Sequence, residues 1–331
     1  MLNERDLQAI WYGGVEPAWW LRALTPIYAA LSKLRRDMYV LGLLRHERLP
    51  VPVVVVGNIT VGGTGKTPLV IALVEALRTR GWNPGVISRG YAGTGKKILR
   101  VDAQSDPFVA GDEARLIFDA TQAPLGVGRD RTAAGRMLLN SEPVNVLIAD
   151  DGLQHYKFCR DVEICVIDGV RRFGNGRMLP AGPLREPVTR LGAFAFRVCN
   201  GGAPAAGEVA MTLGGDVAMA LGSQQIRPLR DFNGQRIHAV AGIGNPGRFF
   251  AQLRAAGIDA IEHAFNDHHP FAAMDLDFGD DLPVLMTEKD AIKCRAFARA
   301  HHWCVPVRAQ LPVEFFEAIA DRLRTAQERS K

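Results

Sequence analysis

Gly62-Gly63-Thr64-Gly65-Lys66-Thr67 joins the valine run 53–56 to a segment carrying Leu69, Val70, Leu73, Val74 and Leu77. A strand, a glycine loop, Gly-Lys-Thr and a helix make up the context of a phosphate-binding loop. Its glycines let backbone N–H groups turn inward around phosphate. The helix start adds unsatisfied donors and the positive end of its dipole. Lys66 is expected to reach the β- and γ-phosphates of ATP, and the Thr67 hydroxyl to ligate Mg2+. Thr60, Gly62, Gly63, Thr64 and Gly65 complete the expected nucleotide-binding set. Thr60 stands where such loops usually place their first glycine, and Gly62 and Gly63 supply the freedom lost there. A dinucleotide-binding loop would not call for the Lys-Thr pair.

A second group of residues fits the metal. Val144, Val146, Leu147 and Ile148 lead into Asp150-Asp151-Gly152, an apolar strand that ends in carboxylates. Asp150 is the first choice for holding Mg2+, directly or through water. Asp151 points differently and is expected to share that work or to orient water or substrate. Gly111-Asp112-Glu113 precedes a helical stretch, so Asp112 suits either an N-cap or an activating carboxylate. Asn266-Asp267-His268-His269 gathers polar groups in a loop, but its spacing matches no strong zinc pattern. A histidine oriented by a carboxylate suits general base work. Arg89, Arg171, Arg172, Arg177 and Arg185 lie in or near the same kind of loop, and some should face phosphate.

The elements that must position these groups read as βα repeats. Residues 86–88 and 162–167 are further strands, the latter running into Asp168-Gly169. Such repeats imply a mostly parallel sheet covered on both faces, with ligands at the carboxyl edge. The expected fold is α/β: a three-layer core like that of P-loop nucleoside triphosphate hydrolases, a smaller C-terminal α/β lobe and an N-terminal amphipathic helix. The expected boundaries are 1–48 for the N-terminal segment, 49–200 for the core, 201–224 for a Gly/Ala-rich connector and 225–331 for the C-terminal lobe. In that lobe, 237–240 and 282–286 read as strands and 305–307 as the last one. Gly242-Ile243-Gly244-Asn245-Pro246-Gly247 lacks Lys-Thr and reads as a turn at a substrate-facing edge. Two lobes around a cleft would exclude water that could otherwise attack ATP.

Composition narrows the partners. The 331 residues are 47% hydrophobic and 23% charged, with a formal net charge of +5. That is globular and only mildly basic, with no long basic, aromatic-interleaved surface, so nucleic acid is not expected as a partner. Nothing points to an obligate protein partner. The 5 cysteines form no close pair, which suits a reducing compartment better than a disulfide scaffold. No apolar run reaches the roughly 20 residues of a spanning helix. Trp20, Leu24, Ile27, Leu31 and Leu34 instead share one helical face, with Arg22, Lys33, Arg35, Arg36, Arg45 and Arg48 interspersed. Apolar bulk, tryptophan and cations together suit a helix lying in a membrane interface. Packing on the core is the other use of such a face.

Taken as a set, the motifs closely resemble the tetraacyldisaccharide 4′-kinase (lipid A 4′-kinase) family of Gram-negative bacteria. The matching stretches are residues 55–68, Ser88-Arg89-Gly90-Tyr91, Gly111-Asp112-Glu113 and Asp150-Asp151-Gly152-Leu153-Gln154-His155. The block 174–186, Asp267-His268-His269 and Thr287-Glu288-Lys289-Asp290-Ala291 complete them. The block Asn175 to Glu186 is far more specific than the phosphate loop. The resemblance implies ATP-dependent phosphorylation of the 4′-hydroxyl of an acylated glucosamine disaccharide 1-phosphate, giving lipid IVA. It implies a peripheral enzyme on the cytoplasmic face of the bacterial inner membrane. It also implies an Asp112–His268 dyad as the activator, with Lys66 and Asp151 in the catalytic set. Arg89, Asn175, Arg177, Arg185 and His269 fall on the substrate side. Arg172 departs from the family's usual small residue, commonly glycine, so the local loop shape is the point of difference. A P-loop ATPase or GTPase switch at a membrane surface is the competing reading. Thr287-Glu288-Lys289-Asp290 does not have the order of a guanine-recognition element, which counts against that switch.

Overall fold

The computed structural model describes residues 3–90, 97–223 and 225–329. Tyr91, the last residue of the Ser-Arg-Gly-Tyr motif, lies outside them. Eight strands come first: β1 (Val53–Gly57), β2 (Pro84–Ser88), β3 (Leu99–Val101), β4 (Leu125–Val127), β5 (Val146–Ala149), β6 (Val162–Asp168), β7 (Phe196–Asn200) and β8 (Val209–Gly214). Six follow: β9 (Val217–Ala220), β10 (Ile226–Pro228), β11 (Arg236–Ala241), β12 (Asp259–Ala264), β13 (Val284–Thr287) and β14 (His302–Val305). The last is β15 (Arg308–Gln310). The helices are α1 (Glu4–Tyr12), α2 (Trp19–Val40), α3 (Lys66–Arg78), α4 (Pro107–Ala110), α5 (Asp112–Thr121), α6 (Arg131–Ser141), α7 (Pro246–Ala255), α8 (Glu288–Cys294) and α9 (Val313–Glu328).

The larger sheet runs β15-β8-β7-β6-β1-β5-β2-β4-β3, parallel except at its two edges. Strand β1 lies at its centre, and its valines alternate between two cores. Val54 and Val56 join Leu69, Leu73 and Leu77 of α3, while Val53 and Val55 join Ala134 and Leu138 of α6. A strand covered on both faces needs such a continuous apolar run. The smaller sheet runs β10-β9-β14-β13-β11-β12, with α7 and α8 on opposite faces.

The chain crosses between the sheets more often than its sequence implies. Within 201–224, expected to be a connector, β8 extends the larger sheet and β9 enters the smaller one. Residues 305–307 are not a final strand: β14 ends at Val305, and β15 pairs back onto β8. Helix α9 then packs Phe315, Ile319 and Leu323 into the larger sheet's core. The physical reason is that β15 is a short edge strand and β8 beside it has mixed exposure, which leaves little periodic signal.

Helix α2 is continuous through Pro26. Its stripe of Trp20, Leu24, Ile27, Leu31 and Leu34 is exposed, and Leu21 is its buried anchor. The opposite face meets the loop 178–185. Tyr28 Oη donates to the Arg185 carbonyl at 3.4 Å, and the Thr25 hydroxyl accepts from Ala181 N at 3.3 Å. No helix among the described residues is long and apolar enough to cross a membrane.

Candidate functional site

The loop after β1 closes on itself before α3 begins. Gly62 and Gly65 have φ of 102° and 94°, a region that costs glycine little. A Cβ at Gly65 would also meet Asn200 Nδ2 at 2.2 Å. Asn200 ends β7 and donates to the Thr64 carbonyl at 2.9 Å, fixing the loop from the neighbouring strand. The block 174–186 wraps the other side: Val61 N donates to Pro183 O at 2.8 Å and Arg185 N to Ile59 O at 2.7 Å. Lys66 Nζ stands 3.4 Å from Asn58 Oδ1 and 3.5 Å from Asp151 Oδ1.

Asp150 and Asp151 follow β5, and their environments diverge. Asp150 is 1% exposed, and its Oδ1 meets no hydrogen-bond partner. Burial, with Glu113 and Asp151 nearby, pushes its carboxyl up to about 7 against the pull of Lys66 and Arg131. Asp151, at φ 47°, accepts from Arg185 Nη1 at 3.1 Å. Burial would raise its carboxyl, but Lys66, Arg185 and Arg131 outweigh that and hold it well below the usual range. Arg131 is almost fully buried beside this pair.

Asp112 opens α5 on the larger sheet's side, and His268 sits after β12 on the other. They meet across the cleft, His268 Nδ1 lying 2.9 Å from Asp112 Oδ2. Burial would raise the Asp112 carboxyl; the His268 hydrogen bond and the charges of Lys289, His268 and Lys293 override it and hold it at about 2. His268 has φ 60° and, like Asp151, holds a left-handed conformation unusual for side-chain-bearing residues. A cleft of about 790 Å³ brings together Gly62–Thr67 of the loop with Arg89, Asp112, Glu113, Asp150, Asp151, Arg185, His268 and Lys289. Leu213, Ile243, Phe249, Val305 and Val307 add apolar side chains to its lining.

Three residues expected on the substrate side lie elsewhere. Asn175 spends its amide on the carbonyls of Ile10 and Ala181, at 3.2 and 2.8 Å, and so ties the loop to α1. His269 turns away, its Nε2 lying 3.1 Å from Asp275 Oδ2 and its ring against Phe265 and Phe271. Arg177 is exposed and does not line the cleft. Thr60 pairs with Leu184 in an isolated antiparallel bridge rather than lining it. Sequence reasoning missed Asn200, Arg131 and Lys293. Asn200 ends an unrecognised strand, and the other two look like ordinary surface cations until burial is known. Arg171 joins the halves: Nη2 donates to Gly63 O at 2.8 Å and Nη1 to Gly244 O at 3.0 Å.

Comparison with known proteins identifies the family. The profile of the family described as LpxK, tetraacyldisaccharide-1-P 4′-kinase, matches residues 17–324. A tetraacyldisaccharide 4′-kinase of Stenotrophomonas maltophilia is 52% identical over 323 residues, covering 95% of each chain. That of Nitrosococcus oceani is 48% identical over 317 residues, covering 96% of this chain and 94% of its own. A crystal structure of LpxK from Aquifex aeolicus in complex with ATP superposes with a TM-score of 0.76 at 26% identity, covering 91% of this chain and 98% of that one. The match runs through both sheets and the cleft between them, and the chain belongs to the tetraacyldisaccharide-1-P 4′-kinase family.

Proposed function

We propose that this chain transfers the γ-phosphoryl group of ATP to the 4′-hydroxyl of a tetraacyldisaccharide 1-phosphate, forming lipid IVA, with Asp112 and His268 activating that hydroxyl. The observation that carries the reading is the Asp112–His268 contact of 2.9 Å, made across the cleft that the glycine loop also lines. A hydrolytic switch has no use for a base aimed at an acceptor beside the phosphate loop.

The backbone amides around Gly62, Gly63 and Gly65 would cradle the phosphates, and Lys66 would neutralise developing charge. The apolar side chains in the cleft's lining would suit a purine ring. For Mg2+, the donor set fits: Asp150 offers a buried oxygen without a partner, and Thr67 lines the same space. No group of three His, Cys, Asp or Glu among the described residues could hold a metal alone, which matches an ion that takes its remaining ligands from phosphate and water. Bound there, the ion would draw charge from the phosphate oxygens. Asp112 orients the imidazole, whose other nitrogen takes the hydroxyl proton. Arg89 and Arg185 line the cleft and would hold substrate phosphate; Asn175 and His269 would serve by shaping the loops around it.

The exposed stripe of α2 supports a peripheral seat on a lipid surface. It would bring the acyl chains of the substrate to an apolar phase while the polar face of the same helix braces Arg185. The test follows labelled γ-phosphate into the lipid with Mg2+ present. Lys66→Ala is expected to lower transfer by about a thousandfold or more. His268→Ala should lower turnover about a hundredfold and leave ATP affinity nearly unchanged. Label released as free phosphate, with none in the lipid, would favour the switch.

A further inference from the structure

Lys289 belongs to the Thr287-Glu288-Lys289-Asp290 motif and has no place in the chemistry above. It follows β13 in the first turn of α8, and its side chain is only 14% exposed. Its Nζ lies 3.1 Å from Asp267 Oδ1, 3.3 Å from Glu113 Oε1 and 3.4 Å from His268 Nε2. Burial would strip its proton; the charges of Glu113, Asp112 and Asp267 prevent that and raise its pKa. Lys289 is therefore an ammonium, and an ammonium only donates hydrogen bonds.

That settles which imidazole nitrogen carries the proton. Nε2 must accept from Lys289, so the proton sits on Nδ1 and is donated to Asp112 at 2.9 Å. Two contacts from opposite lobes select the same tautomer. The tethering of α8 falls to a different cation. Lys293 Nζ reaches Asp290 at 3.2 Å and the His269 carbonyl at 3.3 Å, and Asp290 in turn accepts from Gly242 N at 2.8 Å. Lys289 can exchange partners without releasing the helix.

We propose that Lys289 is a positioning residue for phosphoryl transfer: it holds His268 in the tautomer with a lone pair on Nε2, then yields that lone pair to the acceptor hydroxyl. Its donation then falls to Asp267 and Glu113, both already within reach. The hydroxyl proton moves to Nε2 as its oxygen bonds to the γ-phosphorus. The bond from that phosphorus to the β,γ-bridging oxygen breaks, and the electron pair leaves with ADP. The imidazolium keeps Nδ1–H on Asp112. The proposal rests on His268 as the proton acceptor.

A double-mutant cycle on the full chain tests it, using labelled ATP and the tetraacyldisaccharide 1-phosphate in mixed micelles. Lys289→Met is expected to lower kcat about tenfold to a hundredfold, with KM for ATP changed by less than about twofold. Lys289→Arg should restore most of kcat. In a His268→Ala background, Lys289→Met should cost less than about a further twofold, because the two act as one unit. Nitrogen-15 spectra of labelled histidine should show protonated Nδ1 and bare Nε2 at His268 in the parent, and mixed tautomers in Lys289→Met. If Lys289→Met does not fold, Lys289→Gln carries the same cycle. Losses that multiply, or an unchanged tautomer, would overturn the role of Lys289 alone. Full kcat in His268→Ala would remove the base itself, and this proposal with it.

Discussion

Helices α2 and α3 carry apolar residues at the same three-and-four spacing and use them in opposite ways. In α3, Leu69, Val70, Leu73, Val74 and Leu77 are buried against the larger sheet. In α2, Trp20, Leu24, Ile27, Leu31 and Leu34 stay exposed, and the more polar face with Thr25, Tyr28 and Ser32 meets the protein. Periodicity states which residues share a face, but not what covers it. The discriminating signal lies beside the stripe. Helix α3 follows a strand and a glycine loop that commit it to the sheet. Helix α2 has Trp19 at 75% exposure and cations around its stripe, a composition that would suit the lipid boundary proposed above.

Truncating the two stripes should separate them most sharply. Leu73→Ala in α3 is expected to cost about 2–5 kcal/mol in denaturant unfolding. Leu31→Ala in α2 should stay within about 0.5 kcal/mol, since its side chain is already in solvent. Equal losses would mean that the α2 stripe is covered in solution. The converse experiment loads charge onto α2. Replacing Leu24, Ile27 and Leu31 with Glu should weaken partitioning onto anionic phospholipid vesicles about a hundredfold or more, because each exposed side chain would otherwise bury apolar area in the interface. Soluble ATP binding should survive. Unchanged sedimentation with vesicles would sink the membrane assignment of this face.

A smaller effect sits above the start of α3. Burial raises the Asp150 carboxyl to about 7. Between the ordinary carboxylate range and that value, the folded chain keeps a proton that the unfolded chain has lost. Without divalent metal, stability should therefore fall as pH rises from about 4 to about 7. Asp150→Asn removes this dependence. It should raise stability at about pH 8 by roughly 2 kcal/mol while abolishing Mg2+-dependent transfer. Thermal melts across that pH range check both halves, and a parallel pH profile in the two proteins would refute the buried-carboxylate account.

The parts legible in the sequence were those whose signal is local. Strand β1, the glycine loop and α3 announce themselves by a valine run and a three-and-four rhythm within about 25 residues. Strands β7 to β10 and β12 are mixed in exposure, and β8 and β9 also pair with β15 and β14 far along the chain. Asp112 and the histidine loop stand out separately in the sequence, but their pairing rests on a family resemblance, because no spacing rule connects residues 156 apart. Lys289 was visible as a motif member only. Its meaning depends on Glu113, Asp267 and His268 converging from α5 and the loop after β12, which is a tertiary fact.

Arg172 gives the smallest effect and sits where the two regions meet. Its turn holds Arg171, which lies over the Tyr12 ring at 5.0 Å and donates to Gly63 just before α3. Arg172 itself has φ 45°, a left-handed conformation that glycine adopts at least cost. The left-handed conformation costs a non-glycine residue about 1–2 kcal/mol. A two-pronged pair with Glu208, at 2.8 and 2.7 Å, offsets part of that. Arg172→Gly removes the strain and the pair together, at the added cost of a more flexible unfolded chain. Its net effect should lie within about 1 kcal/mol of zero. Glu208→Gln keeps the strain and weakens the pair, so it should be the more destabilising of the two. Denaturant unfolding of both variants ranks them. If Arg172→Gly proves the worse by more than about 1 kcal/mol, the pair outweighs the backbone and this turn is an acquired brace between the α1–α2 region and the phosphate loop.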